Sequence, residues 1–431
     1  MTIPSKDVDP ALRHRIADAT VTVIGRDGRP LANAEVTVRQ VRHKFLFGCI
    51  GFEFIELVEL VDGQPSANGE DLERMADLWF DVFNFATLPF YWGTFETERG
   101  KPDTQRLLNT ARWFNDRGCV VKGHPLAWHT LTADWLLPLP NAEIIDAQRA
   151  RIRREVTDFK GVIDAWDVIN EVVIMPIFDK YDGLTERASV SDNGITRICR
   201  ELGRIGMIRL SFDAARAANP QATLLLNDFD MSAAYECLIE GCLEAGIQID
   251  AIGLQSHMHQ GYWGEEKTLA IVDRFARYGL PIHFTESTLV SGELMPPDIV
   301  DLNDYQVADW PSTPDGEARQ ADEVVRHYRT LLSHPAVEAI TYWGLSDAGA
   351  WLGAPVGFVR ADATPKPSYD ALRSLVKGEW WLDATTMKTD DEGRVAISGF
   401  LGVYEVSAVG ALAALRLDRP GEIAIEASLD R

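Results

Sequence analysis

Between Phe45 and Val376 one theme recurs eight times: a short apolar run rich in β-formers, a polar turn, then a longer segment with apolar positions at helical spacing. The runs are "FLFGCIGF" (45 to 52), "VFNFATL" (82 to 88), "CVVKGHPLAW" (119 to 128), "VIDAWDVIN" (162 to 170), "ATLLLND" (222 to 228), "DAIGLQSH" (250 to 257), "LPIHFTE" (280 to 286) and "EAITYWGLS" (338 to 346). Segments such as "TQRLLNTARWFNDRG" (104 to 118) and "EARQADEVVRHYRTLLSH" (317 to 334) carry the helical spacing and a charged face. The repetition predicts an α/β fold, a (β/α)8 TIM barrel over residues 45–377, in which a parallel sheet closes on itself inside a ring of helices. An open, doubly wound sheet shares the alternation but wants a glycine-rich phosphate turn after its first strand, and "FGCIGFEF" is not G-x-G-x-x-G.

The two ends read differently. Residues 19 to 40, "ATVTVIGRDGRPLANAEVTVRQ", alternate like strands around Asp27-Gly28, and residues 384 to 408 do the same around Glu392-Gly393. Each is too short to bury a core alone. Together they resemble a split form of the small prealbumin-like or carboxypeptidase-regulatory-like β-sandwich. The expectation is an accessory β-sandwich built from both termini, residues 1–44 and 378–431, with the barrel inserted between them. Trp380 and Trp381 are candidates for an exposed glycan platform or for the seam against the barrel.

Composition narrows the partners. A formal net charge of -23 argues against a nucleic-acid or anionic-membrane surface, which needs clustered Lys and Arg. Five scattered cysteines (Cys49, Cys119, Cys199, Cys237, Cys242) form no C-x-x-C pair, so they read as buried thiols rather than a disulfide frame or zinc site. The first twenty residues carry charges throughout and no apolar h-region, which favours a cytoplasmic location unless a secretion signal has been removed. Neither a phosphate loop nor a Ser-His-Asp order points to a cofactor or another chemistry.

A barrel of this kind presents its chemistry at the C-terminal ends of its strands. The third run ends in His124 and then Trp128 and His129, the fourth in Asn170 and Glu171, and the fifth in Asn227 and Asp228. The sixth gives Gln255, His257 and His259, the seventh Glu286, and the eighth Trp343 with Trp351 beyond. Sugars want that set, because hydroxyls need Asn, Gln and His partners while the CH-rich face of a pyranose packs on Trp. Two glutamates at facing strand ends can divide the work of glycoside cleavage. One protonates the leaving oxygen while the other attacks the anomeric carbon, and a separation of about 5 to 5.5 Å means retention of configuration.

The runs also resemble glycoside hydrolase family 10, the xylanase family, across residues 45 to 376. The resemblance rests on "GHPLAWH" (123 to 129), "WDVINE" (166 to 171), "IGLQSHMH" (252 to 259), "TE" (285 to 286), "YWGLSD…W" (342 to 351) and "PKPSYDAL" (365 to 372), in register. It implies Glu171 as acid/base, Glu286 as nucleophile and Asn170 as the group that binds the sugar 2-hydroxyl at subsite -1. His124, Trp128, Gln255, His257 and Trp343 would line that subsite, with Trp351 beside it. The implied partner is a carbohydrate, β-1,4-xylan or xylo-oligosaccharide, and no metal or other cofactor is implied.

Bland readings stand beside these. Glu171 alone could be a helix N-terminal carboxylate, and Trp343 and Trp351 could be barrel packing, as expected of Trp79, Trp113 and Trp166. The H-x-H of His257 and His259 also opens the site of metal-dependent amidohydrolase barrels, but there it lies on the first strand and here on the sixth. His257 is instead expected to hydrogen-bond Glu286, and His259 has no assigned role. Asp228, Asp230 and Asp347 read as solvated rim acids. A barrel that only holds carbohydrate is a further alternative, although a mere binder has no use for both glutamates.

Two departures bear on the substrate. After its second strand the family usually presents Glu-Asn-x-x-Lys, whose Asn and Lys grip sugar hydroxyls; here "TLPFYWGTFE" puts Pro89, Phe90 and Gly93 in those places. Phe90, Tyr91 and Trp92 are expected to offer an apolar surface instead, which favours an exo-acting enzyme or one taking a glycoconjugate such as a saponin. Two residues after Glu286 the family often has Asp where this chain has Thr288.

Overall fold

The computed structural model describes residues 9–59, 69–178, 193–408 and 410–429. Strands β1 (Ile16–Ile24) and β2 (Glu35–His43) come first. Eight barrel strands follow: β3 (Leu46–Ile50), β4 (Phe85–Pro89), β5 (Val120–His124), β6 (Ala165–Asn170), β7 (Thr223–Asp228), β8 (Ala251–Met258), β9 (Ile282–Leu289) and β10 (Val337–Tyr342). Five more, β11 (Thr385–Lys388), β12 (Arg394–Phe400), β13 (Gly402–Ala408), β14 (Ala411–Leu417) and β15 (Gly421–Ser428), complete the chain.

Strands β3 to β10 pair in parallel, each with the next, and β10 closes on β3 with Ala339 opposite Leu46 and Tyr342 opposite Cys49. All eight apolar runs of the sequence are barrel strands. The third run ends early, at His124, because Pro125 has no N–H to continue the ladder. Residues are buried along the whole of β6 and β9, as expected when helices cover the outer face and side chains fill the inside. Helix Pro314–Ser333 shows how the outer layer is set: Thr313 Oγ1 accepts from the Gly316 N–H at 3.1 Å, and Val324, Tyr328 and Leu331 join the barrel core. Gly123 is required on β5, since a Cβ there would lie 2.1 Å from the Trp166 ring.

Strands from the two termini interleave into two sheets. One is ordered β12-β1-β15 and the other β11-β2-β13-β14, and they share an apolar core that includes Val21, Val23, Val36, Val38, Tyr404, Val406 and Leu415. The turns at Asp27-Gly28 and Glu392-Gly393 do not close hairpins within one sheet. Each sends one strand to either sheet, because an isolated hairpin has no second layer to bury its apolar face. Gly393 sits at φ 74° with Leu31 N only 2.8 Å from where a Cβ would be.

Trp380 is 1% exposed and stacks on Phe47 of β3 with centroids 5.9 Å apart, while the Trp381 ring lies 5.1 Å from His43 of β2. These two tryptophans are the seam, and burial removes Trp380 as a glycan platform. Arg15 pins the other side, donating to the carbonyls of Leu332, His334 and Val337. Of the cysteines, Cys237 is exposed and the other four are buried, so the expectation of buried thiols fails at that one position. Among the described residues no helix is long and apolar enough to cross a membrane.

Candidate active site

Strand β6 delivers Asn170 at its last position, and the chain then turns so sharply that Glu171 takes φ 56°, a left-handed value uncommon for a non-glycine residue. Its N–H donates to the Asn227 carbonyl at 2.9 Å, anchoring the turn to β7. The carboxylate accepts from Trp128 Nε1 at 2.9 Å on one oxygen, and from Asn170 Nδ2 at 3.1 Å and Gln255 Nε2 at 3.2 Å on the other. Burial first, then the charge of Glu286, push its carboxyl up to about 8, against the donor from Trp128. Glu171 is therefore protonated at neutral pH.

Glu286, on β9, has the opposite balance. Asn227 Nδ2 donates to its Oε1 at 3.0 Å, His257 Nε2 lies 3.1 Å from its Oε2, and His124 Nε2 lies 3.9 Å from Oε1. Burial alone would raise its pKa, but His124 and His257 outweigh that and hold the carboxyl below the usual range. Asn227 Nδ2 also donates to Asn170 Oδ1 at 2.7 Å, and Gln255 Nε2 to the same oxygen at 2.9 Å. One continuous hydrogen-bond chain thus joins a protonated acid to an ionised one.

Behind His124 lies a buried ion pair. Lys122 and His124, two apart on β5, share one face of the strand. Lys122 Nζ is 2.7 Å from Asp167 Oδ2, a charge contact rather than an aligned hydrogen bond, and His124 Nδ1 is 2.8 Å from the same oxygen. Burial opposes the charge on Asp167, but Lys122 and His124 outweigh it and keep the carboxyl below its usual range. With Asp167 ionised, His124 Nδ1 is the donor in that bond.

Aromatic rings line the opposite side of the mouth. The Trp343 ring is 5.0 Å from His124 and 5.7 Å from Phe52, and Tyr91 stands 5.5 Å from Trp128 and 5.8 Å from His124. Trp351 is 36% exposed, with its ring 5.0 Å from His257. The expected apolar surface of Phe90, Tyr91 and Trp92 is corrected here. Phe90 is fully buried against Phe95, Phe159 and Trp166, and Trp92 is buried with its Nε1 donating to Glu96 Oε2 at 3.0 Å. Of the three, Tyr91 is the ring beside His124 and Trp128, because the chain leaves β4 at Pro89 and a short helix starting at Trp92 carries that side chain into the core.

Other expectations also change. Asp228 is not a solvated rim acid: it is fully buried, pushed up to about 7 by that burial, and its carboxylate accepts the N–H groups of Val173 and Asp230, both at 3.0 Å. It holds the loop that follows Glu171. Asp347 accepts from Lys366 Nζ at 2.7 Å and from the Gly357 N–H at 2.9 Å, a structural pairing. His259 is buried beside Trp310 and Trp351, and burial followed by His257 pushes it down to about 3. Asn227 and Tyr91 stand at the site as their positions suggested, whereas Phe52, Lys122 and Asp167 were not foreseen there. Two of them carried a signal, since Lys122 and Asp167 are charges inside apolar strand runs.

Comparison with known proteins now places the chain. The model of "Glycosyl hydrolase family 10" matches residues 89–375. An endo-1,4-beta-xylanase/feruloyl esterase of Xylanibacter ruminicola is 28% identical over 300 residues, covering 63% of this chain and 39% of that protein, so the chain spans well under half of that relative. Endo-1,4-beta-xylanase B of Thermotoga neapolitana is 26% identical over 328 residues, 71% of this chain and 84% of that one. Among solved structures, xylanase 10B from Thermotoga petrophila in complex with xylobiose shares the barrel fold at TM-score 0.59 and 22% identity, over 78% of this chain and 95% of that one. The chain belongs to glycosyl hydrolase family 10 and is a xylanase-like glycoside hydrolase.

Proposed function

We propose that this protein is a retaining β-glycosidase that cleaves β-1,4-xylan or xylo-oligosaccharide by double displacement, with Glu171 as acid/base and Glu286 as nucleophile. The observation that carries the reading is the divergence of the two carboxyls, one pushed up to about 8 and the other held below the usual range. Glu171 in its protonated form donates to the departing glycosidic oxygen while ionised Glu286 attacks the anomeric carbon and forms a glycosyl ester. Glu171, now a carboxylate, takes a proton from the water that releases the sugar from Glu286. Asn170, with Oδ1 fixed by Asn227 and Gln255, presents its amide toward the sugar 2-hydroxyl. Trp128, Trp343 and Trp351 pack the sugar, and His124, Gln255 and His257 orient the acids.

A second reading within the same chemistry is an enzyme acting on chain ends or on a glycoconjugate with an apolar portion. It is favoured by Phe229, 45% exposed, and Ile177, 67% exposed, on the loops that follow β7 and β6. The test is product analysis on xylan, xylo-oligosaccharides, aryl β-glycosides and a saponin with wild type, Glu171→Ala and Glu286→Ala. Sugar release by wild type alone supports the assignment. A barrel that binds sugar but cleaves nothing from the panel contradicts it.

A further inference from the structure

The mouth of the barrel is divided into two arcs. Strands β6 to β9 supply polar groups: Asn170, Glu171, Asn227, Gln255, His257 and Glu286. The loops after β10 and β3, then β4 and β5, supply rings in unbroken succession, two pairs T-shaped and the last tilted. Trp343 meets Phe52 at 5.7 Å, Phe52 meets Tyr91 at 6.1 Å, and Tyr91 meets Trp128 at 5.5 Å. Centroid spacings of this size are packing contacts, so no pyranose fits between neighbouring rings. His124 sits inside the arc, its ring 5.0 Å from Trp343 and 5.8 Å from Tyr91.

The middle of the arc follows β4, where the family that the chain resembles has the Asn and Lys that grip sugar hydroxyls and this chain has Phe90 and Gly93. Here Phe90 is turned into the core and Gly93 has no side chain, so the Tyr91 ring, packed on Phe52, takes the place of those polar groups. The Tyr91 ring lies 5.5 Å from Trp128, whose Nε1 donates to Glu171, and 5.8 Å from His124, whose Nε2 is 3.9 Å from Glu286, so it stands beside both carboxyls. A sugar held at the nucleophile therefore has rings, rather than an open polar channel, on its glycone side.

We propose that Phe52 and Tyr91 are specificity-determining residues that close the glycone side of the cleft, so that one terminal sugar is accepted and released per cleavage. This deepens the reading of Glu171 and Glu286 as the catalytic pair and rests on it. The substrate class is the non-reducing end of a β-linked oligosaccharide or a β-monoglycosyl conjugate, with everything beyond the scissile bond on the leaving-group side.

The experiment compares kcat/KM for an aryl β-xyloside and an aryl β-xylobioside, with the released sugar identified, for wild type, Tyr91→Ala, Phe52→Ala and Tyr91→Phe. Wild type is expected to favour the monosaccharide glycoside and to release xylose from both. Truncating either ring is expected to shift the ratio toward the disaccharide about tenfold or more, the order of gain from one added sugar contact. Tyr91→Phe, which keeps the ring, is expected to keep the ratio. Release of intact xylobiose by wild type at higher kcat/KM than xylose, with the ratio unmoved by Tyr91→Ala, overturns the proposal and leaves the catalytic pair standing. A wild type silent on both glycosides overturns the catalytic reading and the proposal with it. Because Phe52→Ala also loses packing, Tyr91→Ala, at a half-buried side chain, decides if the other variant does not fold.

Discussion

Asn227 Nδ2 lies 3.0 Å from Glu286 Oε1 and shares its second hydrogen with Asn170 Oδ1 at 2.7 Å. One amide thus ties Asn170 to Glu286. Donation to a carboxylate favours its charged form. Asn227→Ala is expected to move the acid limb of the pH–kcat/KM profile upward and to lower kcat/KM about tenfold or more, since a buried acceptor is left unmet. Steady-state kinetics across pH on an aryl β-xyloside check this.

Glu171 makes stability depend on pH in a definite direction. Its folded pKa is raised, from an ordinary 4.5 to about 8, so its contribution to stability is whole below about 4.5 and is lost as pH rises through about 8. Glu171→Gln removes that loss. The variant is expected to gain on wild type by a few kcal/mol between those limits, read from urea unfolding at several pH values, while the alkaline limb of the rate profile disappears with the activity.

The buried pair of Lys122 and Asp167 is costly to break from one side. Lys122→Met leaves an anion in a site with no solvent access, and unfolding free energy is expected to fall by about 3–5 kcal/mol. Lys122→Met/Asp167→Asn is expected to recover a large share of that loss, which a double-mutant cycle measures directly.

Trp380 joins the terminal sheets to the barrel through its stack on Phe47. Trp380→Ala is expected to cost about 3–5 kcal/mol and to lower the thermal midpoint, with the pH profile of the remaining folded enzyme unchanged. Calorimetry paired with kinetics separates the two effects.

The barrel was legible because each of its strands is buried on both faces and reads as a continuous apolar run, and because a polar residue ending such a run has few bland explanations. Glu171 and Glu286 stood out for that reason. Tyr91 did not, since "PFYW" looks uniformly aromatic and only the turn from β4 into the short helix at Trp92 separates the ring facing the cleft from its two buried neighbours. Asp228 was misread for a related reason: sequence shows an acid at a strand end, and only the fold shows the two N–H groups it satisfies. The termini gave their strands by alternation, whereas the partners of β1 and β2 lie at the far end of the chain, such as Ile16 opposite Phe400.

The most direct test of the central claim is mass analysis of the protein after reaction with an activated 2-deoxy-2-fluoro-β-xyloside, which slows release of a glycosyl ester. A single glycosyl adduct is expected on the peptide containing Glu286, absent in Glu286→Ala. Turnover of the parent xyloside with no adduct and with the α-anomer as first product, or an adduct on any other residue, would contradict it.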